Sequence, residues 1–135
     1  MAGTLVIDNL TDGSGNTTSA TNAIRGSARA WINFDGTSAT PGAGRANYNV
    51  SSVTKNATGD YTVNFTNALA DANYASVVSV SSTTGVADAV TVMADSNRTG
   101  SAIQAPTTTT FRFSVVNAGA GTTRDVPYCH VAIFR

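Results

Sequence analysis

The chain has 135 residues, of which 12% are charged and 41% hydrophobic. Its 8 basic and 8 acidic residues cancel, which excludes nucleic-acid binding by bulk electrostatics and a basic membrane-surface role. No apolar run approaches the roughly 18 residues of a membrane-spanning helix, and the length fits one domain with a core of its own.

Every acid is Asp, and Lys55 is the only lysine. The strong helix formers Glu and Lys are thus nearly absent, while Thr, Val and Tyr favour strands and Asn, Asp, Gly and Ser favour turns. The composition predicts an all-β chain. Alanine is abundant, but it is scattered among Gly, Asn and Thr and builds no stripe at helical spacing. A lone cysteine, Cys129, excludes an intrachain disulfide framework. The N-terminus has no basic start and too short an apolar run for a signal peptide, so synthesis and folding in a reducing cytoplasm are expected.

In chain order, Thr4–Asp8 reads as a short strand, and Asn9–Asn22, polar and glycine-bearing, as a long loop or arm. Arg29–Asp35 alternates, with Ala30, Ile32 and Phe34 on one side and Arg29, Trp31, Asn33 and Asp35 on the other. A loop runs from Asp35-Gly36 to Gly44. Ala46, Tyr48 and Val50 predict one strand face, with a bulge at Ser51-Ser52-Val53, and Lys55–Gly59 a turn. Tyr61, Val63 and Phe65 form the strongest alternating strand, so residues 45–66 read as a hairpin. Ala68–Asn73 reads as one helical turn. Tyr74–Ser82 and Val86–Ala94 are strands around Thr84-Gly85, and Asp95–Gln104 is loop. Thr108–Val116 places Phe111, Phe113 and Val115 on one face. After a glycine-rich loop, Asn117–Asp125, the strand Val126–Phe134 carries bulk on both faces, as a central strand does, or an edge covered by another subunit.

The sum is an antiparallel β-sandwich or jelly-roll-like barrel of about eight strands. Residues 1–22 read as an N-terminal strand and polar arm, and 23–135 as a single sandwich domain. One face is expected to be dry and the other covered in hydroxyls and amides.

Candidate chemistry is sparse. His130 is the only histidine, and no serine lies in a nucleophile elbow. Cys129 and His130 point to opposite faces of a strand and cannot jointly hold a metal. Paired carboxylates could hydrolyse a glycan, but most Asp residues sit beside turns: Asp12-Gly13, Asp35-Gly36, Gly59-Asp60, Ala70-Asp71. Asp8, Asn9, Asp12 and Asn16 are a loose calcium candidate without EF-hand spacing. Triplets such as Asn56-Ala57-Thr58 and Asn97-Arg98-Thr99 follow from composition. Trp31, the only tryptophan, could stack on a sugar ring, although burial against a second sheet or a neighbouring subunit explains it as simply. No catalytic residue, cofactor or metal ligand is assigned, and the chain is not expected to be an enzyme.

Residues 28–37, Ala-Arg-Ala-Trp-Ile-Asn-Phe-Asp-Gly-Thr, resemble small bacteriophage virion proteins and the distal, receptor-binding ends of phage tail fibres. The resemblance continues through Asn49–Thr54, Thr58–Phe65, Ala70–Tyr74 and Val131–Phe134. Thr4–Asp8 and the loop after it resemble the opening of short stand-alone versions, including those of phages that infect cyanobacteria. A vaguer similarity is to H-type lectin domains, in Tyr61–Phe65, Asp71–Tyr74 and Phe111-Arg112-Phe113. The resemblance implies a trimeric virion component, assembled in the host cytoplasm, that contacts the host surface; it supplies no ligand residue.

The expected function is a tail-fibre or adhesin domain binding host surface glycan. Capsid decoration and a lectin-like glycan-binding module are the alternatives. Expected partners are a second and third copy of the chain, other virion proteins and host glycan, with no nucleic acid and no membrane insertion. The expected oligomer or docking contacts are Leu5, Ile7, Trp31, Tyr128 and Phe134. Leu5 and Ile7 lie on a strand too short to stand alone, and the final strand is apolar on both faces.

Overall fold

An alternating strand keeps one face dry only where a second layer covers it. The computed structural model describes residues 3, 6–81, 90–94, 96–97, 102–119 and 121–135. Its elements are β1 (Asn9–Thr11), β2 (Thr17–Ser19), α1 (Ala20–Gly26), β3 (Ala28–Phe34), β4 (Ala46–Tyr48), β5 (Val50–Ala57), β6 (Asp60–Phe65), β7 (Ala75–Val80), β8 (Val90–Ala94), β9 (Ser96–Asn97), β10 (Ala102–Ile103), β11 (Thr110–Asn117) and β12 (Cys129–Phe134). Two antiparallel four-stranded sheets, ordered β4-β3-β12-β7 and β5-β6-β11-β8, form a β-sandwich. Two-stranded hairpins, β1-β2 and β9-β10, lie outside it.

The inward residues are those the alternation selects. Ala30, Ile32 and Phe34 of β3, Tyr61, Val63 and Phe65 of β6, Phe111, Phe113 and Val115 of β11, and Cys129, Val131 and Ile133 of β12 are all buried. Aromatic rings join the layers: Phe34 meets Tyr61 edge-on at 5.3 Å between centroids and Phe113 at 6.2 Å. Phe111 stacks on Phe113 at 5.9 Å. Such pairs add about 0.5–1.5 kcal/mol each beyond the area they bury.

Several sequence expectations are corrected. Residues 45–66 are not one hairpin. Asn49 adopts φ +54°, which turns the chain between sheets, so β4 pairs with β3 while β5 pairs with β6. Tyr48 and Val50 therefore do not share a face: Tyr48 is exposed and Val50 buried. The bulge lies where the alternation slips, as a register shift between Val50 and Ser52. The β5–β6 turn is shorter than Lys55–Gly59, because β5 continues to Ala57.

The segment read as loop or arm, Asn9–Asn22, holds β1, β2 and the start of α1, which runs on to Gly26. Ser19 caps the helix by accepting from Asn22 N–H at 3.1 Å, a signal present in the sequence as Ser before Ala-Thr-Asn-Ala-Ile. Val6–Asp8 are exposed and not in a strand, and Thr4 and Leu5 lie outside the described residues. Ala68–Asn73 contains no helical turn. The loop expected over Asp95–Gln104 contains β9 and β10. Of the strand expected over Val86–Ala94, Val90–Ala94 is β8 and the rest lies outside the described residues, as does Thr84-Gly85. The last strand, β12, begins at Cys129 and is central, flanked by β3 and β7.

Candidate functional site

Several titratable side chains are tied into structure. Asp12 closes the β1–β2 turn, its Oδ1 accepting from Ser14 and Asn16 N–H at 2.9 Å each and its Oδ2 from Asn16 Nδ2. The Asn16 side chain leads in holding this carboxyl below its ordinary value. Of the loose calcium quartet, Asp12 and Asn16 form a hairpin turn while Asp8 and Asn9 precede it, and among the described residues no three His, Cys, Asp or Glu side chains gather. Asp35 accepts from Thr37 Oγ1 at 2.6 Å, and Asp71 pairs with Arg135. Cys129 is buried, which pushes its thiol up to about 12, so it is an inert core side chain. His130 is exposed on the opposite face, in register with Asn33 and Ser79.

One cluster brings a lysine, a carboxylate and a tyrosine together. Lys55 Nζ contacts Asp125 Oδ2 at 2.7 Å and the carbonyls of Gly36 and Ser38 at 3.2 and 3.4 Å. Asp125 Oδ1 accepts from Gly59 N–H at 2.8 Å and lies 2.8 Å from the Tyr61 hydroxyl. That hydroxyl also lies 2.8 Å from the Gly36 carbonyl, and burial holds it well above the ordinary tyrosine value. The Lys55 ammonium, the Gly59 N–H and the Tyr61 hydroxyl each have a partner, and Tyr61 is fully buried. The cluster ties the loop after β3, the β5–β6 turn and the lead into β12 together at one end of the sandwich.

This cluster makes stability sensitive to acid. Partial burial works against ionised Asp125, but Lys55, the Gly59 N–H and the Tyr61 hydroxyl outweigh it and leave the carboxyl below its ordinary 3.8. The unfolded chain therefore binds this proton first as pH falls. The stabilisation is complete above the unfolded value and is lost as pH drops through the folded one. Urea midpoints are expected to fall between about pH 5 and pH 3. Asp125→Asn is expected to cost about 2 kcal/mol at neutral pH and to flatten that slope. An unchanged slope in the variant would assign the acid sensitivity to other carboxylates.

The outer faces of the two sheets differ in kind. On β5-β6-β11 the face is hydroxyl and amide around the Asp60–Arg112 ion pair: Asn64 Nδ2 donates to Ser52 Oγ and Thr54 Oγ1 at 3.0 and 3.1 Å, and Asn56 Nδ2 to Thr62 Oγ1 at 2.9 Å. On β4-β3-β12-β7 a row crosses the whole sheet in register, Tyr48–Trp31–Ala132–Val77. Tyr48, Trp31 and Val77 are 58%, 41% and 57% exposed. The next row, Ala46–Asn33–His130–Ser79, carries no acid, lysine or arginine.

Of the expected docking residues, Trp31 lies at the middle of the apolar row, not against a second sheet. Phe134, half-buried, shares its face one row away, opposite Ala75. Tyr128 lies just before β12, where the Arg45 guanidinium sits 4.5 Å from its ring centroid. Ile7 is exposed in the lead-in to β1 and joins none of these, while Leu5 lies outside the described residues. Tyr48 and Val77 were not legible as partners of Trp31. The turn at Asn49 hides the face of the first, and alternation with serine hides the second.

Beside this face, between α1 and the end of the sandwich, opens a cleft of about 710 Å³. Ile24, Tyr48, Ala68 and Leu69 supply apolar lining, and Thr21, Asn49, Thr66 and Asn67 polar lining. Arg29 and Arg135 stand at it as well. Arg29 Nε donates to the Arg135 main-chain oxygen at 2.9 Å, and the Arg135 guanidinium is held by Asp71. No helix among the described residues is long and apolar enough to cross a membrane. No protein-family model, curated protein or solved structure matches the chain.

Proposed function

We propose that the chain is a non-enzymatic structural protein of a bacteriophage particle, a tail-fibre or adhesin domain that self-associates as a homotrimer and binds host surface glycan. The observation that carries this reading is the uncharged apolar row Tyr48–Trp31–Ala132–Val77 on the outside of a β-sandwich. Exposed aromatic patches of this kind mark interaction surfaces. A patch without formal charge can meet its own copy without like-charge repulsion. The phage assignment draws on the resemblance of residues 28–37, 49–54, 58–65, 70–74 and 131–134 to virion proteins. Four of those blocks fall on β3, β5, β6 and β12, including strands from both sheets, and residues 70–74 lead into β7.

Two measurements test the reading. Sedimentation at micromolar concentration is expected to give a trimer, and Trp31→Arg a folded monomer with a thermal midpoint close to that of the parent chain. A monomeric parent would remove the self-association. Gold-labelled antibody on intact virions is expected to decorate tail or fibre ends. Label over the head would replace host recognition by capsid decoration, and unlabelled particles would remove the virion assignment.

A further inference from the structure

We propose that the cleft between α1 and the sandwich is a saccharide site that takes an uncharged pyranose segment, with the Tyr48 ring as its stacking platform. This deepens the host-recognition reading and rests on it. A pyranose has one apolar C–H face and a rim of hydroxyls, and the cleft offers both kinds of surface. Tyr48 and Ile24 are exposed apolar side chains, while Thr21, Thr66 and Asn67 bring hydroxyls and an amide. A cavity of about 710 Å³ falls within the roughly 300–1,000 Å³ of small-ligand sites.

The wall is preformed. Asn49 Nδ2 donates to the carbonyls of Arg29 and Asn67 at 3.1 and 3.2 Å, and Asn49 Oδ1 accepts from Asn67 N–H at 2.8 Å. These bonds fix the start of the loop after β6 against β3, so binding would order little new chain. Asp71 holds the Arg135 guanidinium, and Arg29 Nε is bonded to the Arg135 main-chain oxygen. The rest of the lining is apolar, hydroxyl and amide, which fits an uncharged ligand, and the uronate comparison tests the pull of Arg29. Tyr48 stands at the end of the row, so the subunit contact rests on Trp31, Ala132 and Val77 and leaves the Tyr48 ring to the cleft, and each subunit of a trimer would carry its cleft beside the interface. Several weak sites would then act together on one glycan surface.

The test is amide-resolved NMR titration of the full chain with glucose-, galactose-, mannose- and N-acetylhexosamine-based trisaccharides, and with a uronate trisaccharide as the charged comparison. Host-cell binding is measured in parallel. Shifts are expected at Thr21–Ile24, Tyr48–Asn49 and Thr66–Ala70 with at least one uncharged probe. Tyr48→Ala and Ala68→Arg are each expected to weaken binding about tenfold or more, the equivalent of about 1.4 kcal/mol. Ala68 is exposed and off the apolar row, so Ala68→Arg fills the cleft without touching the proposed subunit contact. Thr54→Ala, on the opposite sheet, is expected to bind as the parent does.

Cell binding that survives both cleft variants would overturn the site and leave host recognition standing. Tighter binding of the uronate would overturn the ligand class. No shift at the cleft with any uncharged probe would overturn the site. Absence of cell binding by the parent chain would remove the host-recognition reading with it.

Discussion

Asp60→Ala is expected to destabilise the fold by about 3–5 kcal/mol, read as a fall in the urea midpoint at unchanged slope. Asp60 is 1% exposed, although it points to the outer side of its sheet. Arg112 grips it with two bonds, Nε to Oδ1 at 2.8 Å and Nη2 to Oδ2 at 2.6 Å, and Asn56 Nδ2 adds a third at 3.1 Å. Truncation would strip the largely buried guanidinium of both bonds from Asp60 and Asn56 of one acceptor. That loss measures the cost of breaking a buried pair, not the worth of the pair. Asp60→Leu combined with Arg112→Met should therefore recover about 2 kcal/mol or more of it. A single variant within about 1 kcal/mol of the parent would mean that water solvates Arg112 once the carboxylate is gone.

Gly59→Ala is expected to cost about 3 kcal/mol, from strain and overpacking together. Gly59 has φ +65°, and a Cβ there would stand 2.6 Å from the Arg124 carbonyl oxygen, 2.7 Å from Arg124 N and 2.7 Å from the Val115 carbonyl oxygen. All three are backbone atoms and cannot swing aside. The same residue accepts from Val115 N–H at 2.7 Å and donates to Asp125 at 2.8 Å, so displacing it also loosens the buried cluster around Tyr61. Gly15 is the control. Its φ is +82° but nothing lies within 4 Å, so Gly15→Ala should cost only about 1–2 kcal/mol. Equal losses at the two positions would show that backbone conformation, not crowding, sets the cost at Gly59.

The architecture was legible because it rests on alternation. Tyr61-x-Val63-x-Phe65 and Phe111-x-Phe113-x-Val115 could bury their bulk only as strands, and they define the dry side of one sheet. The sheet partners were not legible in the same way. Asn49 reverses the face of its neighbours through one backbone angle, and nothing in Tyr48-Asn49-Val50 marks that angle except the tolerance of Asn for it. The helix was missed because Ser19-Ala-Thr-Asn-Ala sits within a polar stretch that reads as loop, although its cap was in view. The chemistry of Asp60 was hidden too. Gly59-Asp60 looks like the other turn carboxylates, and only the register of β6 with β11 brings Arg112 to it. The apolar row is a property of register across four strands. Local pattern could find Trp31 in it, but not Tyr48 or Val77.

The bonding of Lys55 governs how amine reagents meet the protein. It is the chain's only lysine, and its ammonium is engaged by Asp125 and two carbonyls. Reagents that acylate amines will find almost nothing to modify on the folded protein apart from the N-terminus. Amine-directed crosslinking would then register separate chains even for a tightly assembled trimer. Immobilisation through amines would hold each subunit at a single point and leave the sheet faces uncovered. Brisk acylation of Lys55, followed by mass spectrometry, would instead report that the sandwich has opened at the end where the Tyr61 cluster sits.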